Sequence, residues 1–122
     1  MTAKEIQERK IAFNCREGMI FLKHNEIVIC SVNKKHVTIH TKTGDIYTFF
    51  GNLKEVEDRL KGKNFVRCHK SYLINTDYIK RIAKNLGTWE IEFNYIKEKA
   101  PLSRRGRKMI IERYLSENCT SD

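Results

Sequence analysis

From residue 18 onward the chain is a series of short apolar runs broken by polar turns, a length and period that predict strands rather than helices. Met19–Leu22 and Ile27–Ile29 are two such runs, separated by the turn-like Lys23-His24-Asn25. Val37-Thr38-Ile39-His40 alternates, which sends Val37 and Ile39 inward and Thr38 and His40 outward. Thr43-Gly44-Asp45 predicts a tight hairpin turn, and Ile46–Phe50 returns as the partner strand. A helix follows, with Asn52 as its N-cap, Leu53, Val56, Glu57 and Leu60 at helical spacing, and Gly62 as its stop.

The second half has the same texture. Phe65–Cys68 reads as a strand, His69–Asn75 as a loop, Tyr78–Ile82 as a strand and Asn85-Leu86-Gly87 as a turn. Trp89–Tyr95 alternates strictly, so one face is buried and the other wet. Ser103 is placed to N-cap a last helix whose apolar stripe is Ile110, Ile111, Tyr114 and Leu115. Residues 2–12 read as a short polar helix or linker anchored by Ile6 and Ile11. The sum is a mainly β (α+β) chain of about seven or eight antiparallel strands, with one helix mid-chain and one at the end. No β-α-β alternation points to a parallel sheet.

At 122 residues the chain has the length of one ordinary domain. No apolar run nears a membrane span, and the polar N-terminus lacks a signal-peptide core, so a cytoplasmic location is expected. Lys and Arg number 24 against 15 Asp and Glu, a net charge of +9 that favours polyanionic partners. Cys15, Cys30, Cys68 and Cys119 form no C-x-x-C pair and no zinc spacing, so they are read as free thiols. Neither a phosphate cradle nor a nucleophile elbow nor an H-E-x-x-H motif is present, and no enzyme, cofactor or metal is expected. Cys68, beside Arg67, His69 and Lys70, is a candidate redox thiol, with a buried strand thiol as the plainer reading.

Three segments combine long cationic donors with short amide or hydroxyl groups, the mix that holds phosphates and reaches base edges. They are Asn33-Lys34-Lys35-His36, Arg67-Cys68-His69-Lys70-Ser71 and Ser103-Arg104-Arg105-Gly106-Arg107-Lys108. The third puts cations at a helix N-terminus, against the helix dipole unless an anion sits nearby.

Phe65-Val66-Arg67-Cys68-His69-Lys70-Ser71-Tyr72-Leu73-Ile74-Asn75 resembles the central signature of the LytTR (LytR/AlgR-type) DNA-binding domain, with Tyr78-Ile79 at its following aromatic-aliphatic pair. Glu26–Thr41 is similar to the family's opening strands, Tyr47–Leu60 to its strand and helix, and Pro101-Leu102-Ser103-Arg104-Arg105 to the entry of its last helix. The resemblance implies small antiparallel sheets stacked side by side, with peripheral helices. It further implies a bacterial transcription regulator of the two-component response-regulator type that reads direct repeats in promoter DNA through loops. Such regulators usually carry an N-terminal receiver domain.

On this resemblance His36, Lys70 and Arg105 are the base-reading residues. Asn33, Lys34, Lys35, Ser71, Ser103, Arg104 and Arg107 are the phosphate or supporting contacts. Residues 1–17 are then a helix or linker remnant, 18–117 the LytTR-like domain and 118–122 a tail. Lys70 replaces an Asn found in some relatives, which favours guanine over adenine. Gly106 stands where a larger residue is common, which is expected to loosen the helix start. Arg67 and His69 are expected to brace the strand-loop junction. The expected partner is double-stranded DNA, with a second copy on a direct repeat and no membrane. The alternatives are a basic β-protein that binds RNA or single strands, which needs exposed rings from Tyr47, Phe50, Tyr72 or Trp89, and a protein-interaction partner of a longer regulator. Most of those rings sit in apolar alternation and read as core.

Overall fold

Ile27, Val28, Ile29 and Cys30 are consecutive and all buried, which requires a strand covered on both faces. The computed structural model describes residues 9–118 and puts this strand, β3 (Ile27–Asn33), in the middle of a five-stranded sheet. Before it come β1 (Ile11–Cys15) and β2 (Gly18–Leu22). After it come β4 (His36–Thr41), β5 (Ile46–Phe50), helix α1 (Leu53–Arg59), β6 (Phe65–His69) and β7 (Tyr72–Asn75). β8 (Ile79–Asn85), β9 (Thr88–Phe93), β10 (Lys99–Leu102) and helix α2 (Arg104–Asn118) complete the order. The central sheet runs β5-β4-β3-β7-β6, beside a two-stranded β1-β2 sheet and a three-stranded β10-β9-β8 sheet. Every pairing is antiparallel.

Each face of the central sheet has its own core. On one, Phe13 and Leu22 of the β1–β2 hairpin and Leu53, Val56 and Leu60 of the α1 segment cover Ile27, Cys30, Ile39 and Leu73. On the other, Ile91, Phe93 and Leu102 of the three-stranded sheet and Ile110 of α2 cover Val28, Val66, Cys68 and Ile74. Buried Asn75 ties β7 to β3 and to the turn that follows: its Nδ2 donates to the Ile27 carbonyl at 3.0 Å and its Oδ1 accepts from the Asp77 amide at 3.0 Å. Asn52 caps α1 as its sequence predicts, accepting from the Glu55 amide at 3.0 Å.

The expected mainly β architecture of small stacked sheets with two helices is what the chain adopts. The strand total differs: ten among the described residues, rather than seven or eight. β1 lies inside the segment expected to be a helix or linker, and the burial of Phe13 and Cys15 around exposed Asn14 gives its period of two. β7 replaces much of the loop expected over 69–75, and Tyr78 belongs to a short 3-10 turn before β8 rather than to the strand. β10 contains Pro101, which an edge strand tolerates because one side of its ladder is unpaired. Ile6 with residues 1–8, Cys119 with the tail beyond 118, and the Leu115 side chain lie outside the described residues.

Candidate nucleic-acid interface

Hairpin register decides where the three basic segments go. β3 and β4 pair through Asn33 and His36, which leaves Lys34-Lys35 as a two-residue turn, with Lys34 at the left-handed φ of 61° such turns need. β6 and β7 pair through His69 and Tyr72, which leaves Lys70-Ser71 as a second two-residue turn. Both turns project from the same end of the central sheet, because the Val32 amide at the end of β3 donates to the Ser71 carbonyl at 3.0 Å.

The third segment joins them through Cys68. Register along β6 skips this residue, and its carbonyl accepts from the Ser103 amide at 3.0 Å and from Ser103 Oγ at 3.1 Å. The same hydroxyl accepts from the Gly106 amide at 3.0 Å, so Ser103 caps α2 as expected. Gly106 does not loosen this helix start. It is buried, and a Cβ there would stand 2.2 Å from the Cys68 carbonyl oxygen. Only glycine lets the helix press this closely on the β6 backbone.

Asn33, Lys34, Lys35, His36, Lys70, Arg104 and Arg105 are exposed along this edge, and Ser71, Ser103 and Arg107 are half-buried. Among the described residues none of Lys34, Lys35, Lys70, Arg104 and Arg105 takes part in an ion pair. Unneutralised cations held at one end give a field that attracts a polyanion. Ser103, engaged by Cys68 and Gly106, is a support rather than a free donor. The Arg107 guanidinium lies 4.8 Å from the centre of the Trp89 ring, which also carries Lys84 Nζ at 5.8 Å.

Arg67 and His69 brace the second turn, as expected. Arg67 donates through Nη2 to the Lys70 carbonyl at 2.7 Å and through Nη1 to Glu57 at 3.2 Å. His69 Nδ1 accepts from the Ser71 amide at 3.1 Å, so its neutral tautomer carries the proton on Nε2.

Sequence reasoning missed three residues here. Phe50, read as core, is exposed at the end of β5, where it pairs with His36. Arg16 turns the β1–β2 hairpin and lines a shallow cleft with His36, Thr48 and Phe50; the misread β1 hid it. Lys84 reaches the edge through the β8–β9 hairpin, whose ring-bearing Trp89 faces Arg107. A charge tally by segment passes over these isolated cations.

Cys68 is fully buried, and burial pushes its thiol up to about 12. Cys30 is raised to about 12 for the same reason. Both stay protonated and shielded, which makes them poor nucleophiles. We expect a thiol reagent to label neither in the native protein at pH 8 and both after denaturation. Fast native labelling of Cys68 would restore it as a redox candidate. Because folding raises these values, the stability they supply is full below the ordinary thiol value of 9.0 and declines as pH climbs from there toward 12.

Among the described residues no group of three His, Cys, Asp or Glu side chains is placed to hold a metal ion, and no helix is long and apolar enough to cross a membrane.

The pattern of the LytTr DNA-binding domain matches residues 17–114, most of the chain. The chain belongs to the LytTr DNA-binding domain family. It is 31% identical over 105 residues to a sensory transduction protein LytT of Oceanobacillus iheyensis, covering 84% of this chain and 43% of that protein. A LytT of Bacillus subtilis is 29% identical over 75 residues, 62% of this chain and 31% of the relative. The chain thus spans less than half the length of either. A solved LytTr DNA-binding domain from Bacillus cereus superposes with a TM-score of 0.71 at 20% identity, over 85% of this chain and 94% of that one. This LytTr domain is therefore a DNA-binding module, and the family resemblance read from the sequence holds.

Proposed function

We propose that this LytTr domain binds double-stranded DNA sequence-specifically through the edge formed by the two hairpin turns and the start of α2. His36, Lys70 and Arg105 read bases, one from each segment. Asn33, Lys34, Lys35, Ser71, Arg104 and Arg107 hold phosphates, and Ser103 supports the helix entry. The observation that carries this reading is the convergence of three segments, remote in sequence, on one rim of unpaired cations. Lys70 presents a donor to guanine O6 and N7. The domain acts by binding alone, in the cytoplasm where the DNA lies, with two copies on a direct repeat.

Among Tyr47, Phe50, Tyr72 and Trp89, only Phe50 is exposed. Single-strand binding relies on successive stacking rings, so the duplex reading is the better supported.

The test is selection from random duplexes with the purified chain, followed by sequencing of the retained DNA. A short motif recurring as a direct repeat one or two helical turns apart is the expected result. Retention without any motif would reduce the function to charge-driven binding that the net charge of +9 explains by itself.

A further inference from the structure

An aromatic ring that is 72% exposed needs an explanation when the groups beside it are polar ones, Lys35 and His36. Phe49 packs on the core, stacked 6.0 Å from Phe13, so the next residue on β5 faces the other way. Phe50 therefore adds nothing to the folded interior. Its ring meets the His36 ring edge-on, 5.9 Å away at 88°, and Lys35 Nζ lies 5.9 Å from its centre. The backbone locks this group together: His36 pairs with Phe50 across the sheet, and the Gly51 amide donates to the Lys35 carbonyl at 2.8 Å.

We propose that Phe50 is a DNA contact that reads the 5-methyl group of a thymine beside the base approached by His36. This rests on the duplex-reading function proposed above. Lys35 over the ring and Arg16 in the same cleft draw phosphates, and the ring beside them needs an apolar partner. In a duplex groove the apolar group offered by a base edge is the thymine methyl. A ring that wedges base steps apart has to stand out beyond its surroundings. Phe50 sits at the end of a paired strand, braced edge-on by His36, behind the Lys34-Lys35 turn. That geometry suits a lateral contact with a methyl group and not insertion into the stack.

The experiment uses the full chain and the duplex recovered by selection, with each thymine replaced singly by deoxyuridine. Wild type should lose about fourfold in affinity at one position, the worth of one buried methyl-sized group. Phe50→Ala should bind the thymine duplex about tenfold more weakly, as expected for losing an apolar side-chain contact, and should ignore the same replacement. Phe50→Leu should keep part of the affinity and part of the methyl response. Thermal melting of both variants should match wild type, since the ring is outside the core.

Wild-type affinity in Phe50→Ala overturns the proposal. So does a weaker variant that still loses the same factor on removal of the methyl, or a selected motif that has no thymine sensitive to replacement. If the wild-type chain selects no motif, the sequence-reading function falls and takes this contact with it. A selected motif without methyl coupling removes the Phe50 contact alone.

Discussion

Gly106→Ala should lower the unfolding free energy by about 3 kcal/mol or more, above the usual cost of one added methyl because the obstacle is backbone. The added carbon would stand 2.2 Å from the Cys68 carbonyl oxygen and 2.7 Å from its carbon. Neither atom can swing aside as a side chain would. The helix must lift, and the bonds from Ser103 to Cys68 lengthen with it. At a size near 100 residues such a loss corresponds to a melting point lower by roughly 10 °C or more. The sign is diagnostic, because alanine in an open helix position would raise stability by about 1 kcal/mol. A melting curve and a binding isotherm on the same preparation check both effects. DNA affinity should fall too, since Arg104 and Arg105 ride on the displaced turn. An unchanged melting point would mean that α2 does not press on β6 as described.

Arg105→Ala should cost about 1–3 kcal/mol on the selected site, a 5- to 150-fold loss, and relax the preference at one base position. Arg105 is exposed in the first turn of α2 and takes no part in an ion pair among the described residues. Its removal should leave folding intact and act on recognition alone. Lys34→Ala supplies the contrast, weakening all duplexes alike and flattening the salt dependence by about one unit. Titrations of both variants at several salt concentrations, on selected and scrambled duplexes, separate base reading from phosphate holding. If Arg105→Ala lost affinity equally on both duplexes, that residue would hold phosphate instead.

How much of this was legible depended on whether a residue's role leaves a periodic trace. The β4–β5 hairpin and α1 were readable because Val37 and Ile39 alternate, Gly44 marks the turn, and Asn52 precedes a helical run. β7 was not. Leu73, Ile74 and Asn75 are all buried, which erases the alternation, and a buried Asn looks like a turn residue until its bond to Ile27 is seen. Pro101 disguised β10 in the same way, since edge position is a property of the assembled sheet.

The candidate site followed the same logic. Charge and the signature located the three segments, but their convergence depends on Val32 meeting Ser71 and Ser103 meeting Cys68, contacts that no local pattern encodes. Gly106 seemed a weak helix starter because its crowding comes from another strand. Phe50 seemed core because it ends the aromatic run from Tyr47, while its neighbours on the finished edge are Lys35 and His36.

The two turns proposed to read bases are each only two residues long and are clamped at both ends by strand pairing, with the second further held by Arg67 and His69. Such turns have few conformations to surrender when they meet a duplex. Recognition then becomes the docking of a stiff comb: its teeth are spaced by the strand separation of a sheet, and the ordering entropy that burdens disordered binding segments is largely absent. The heat-capacity change on binding should reflect the area brought into contact and little coupled folding. With the comb's pitch set by the backbone, exchange of side chains at the turns can retune the DNA site without remaking the scaffold.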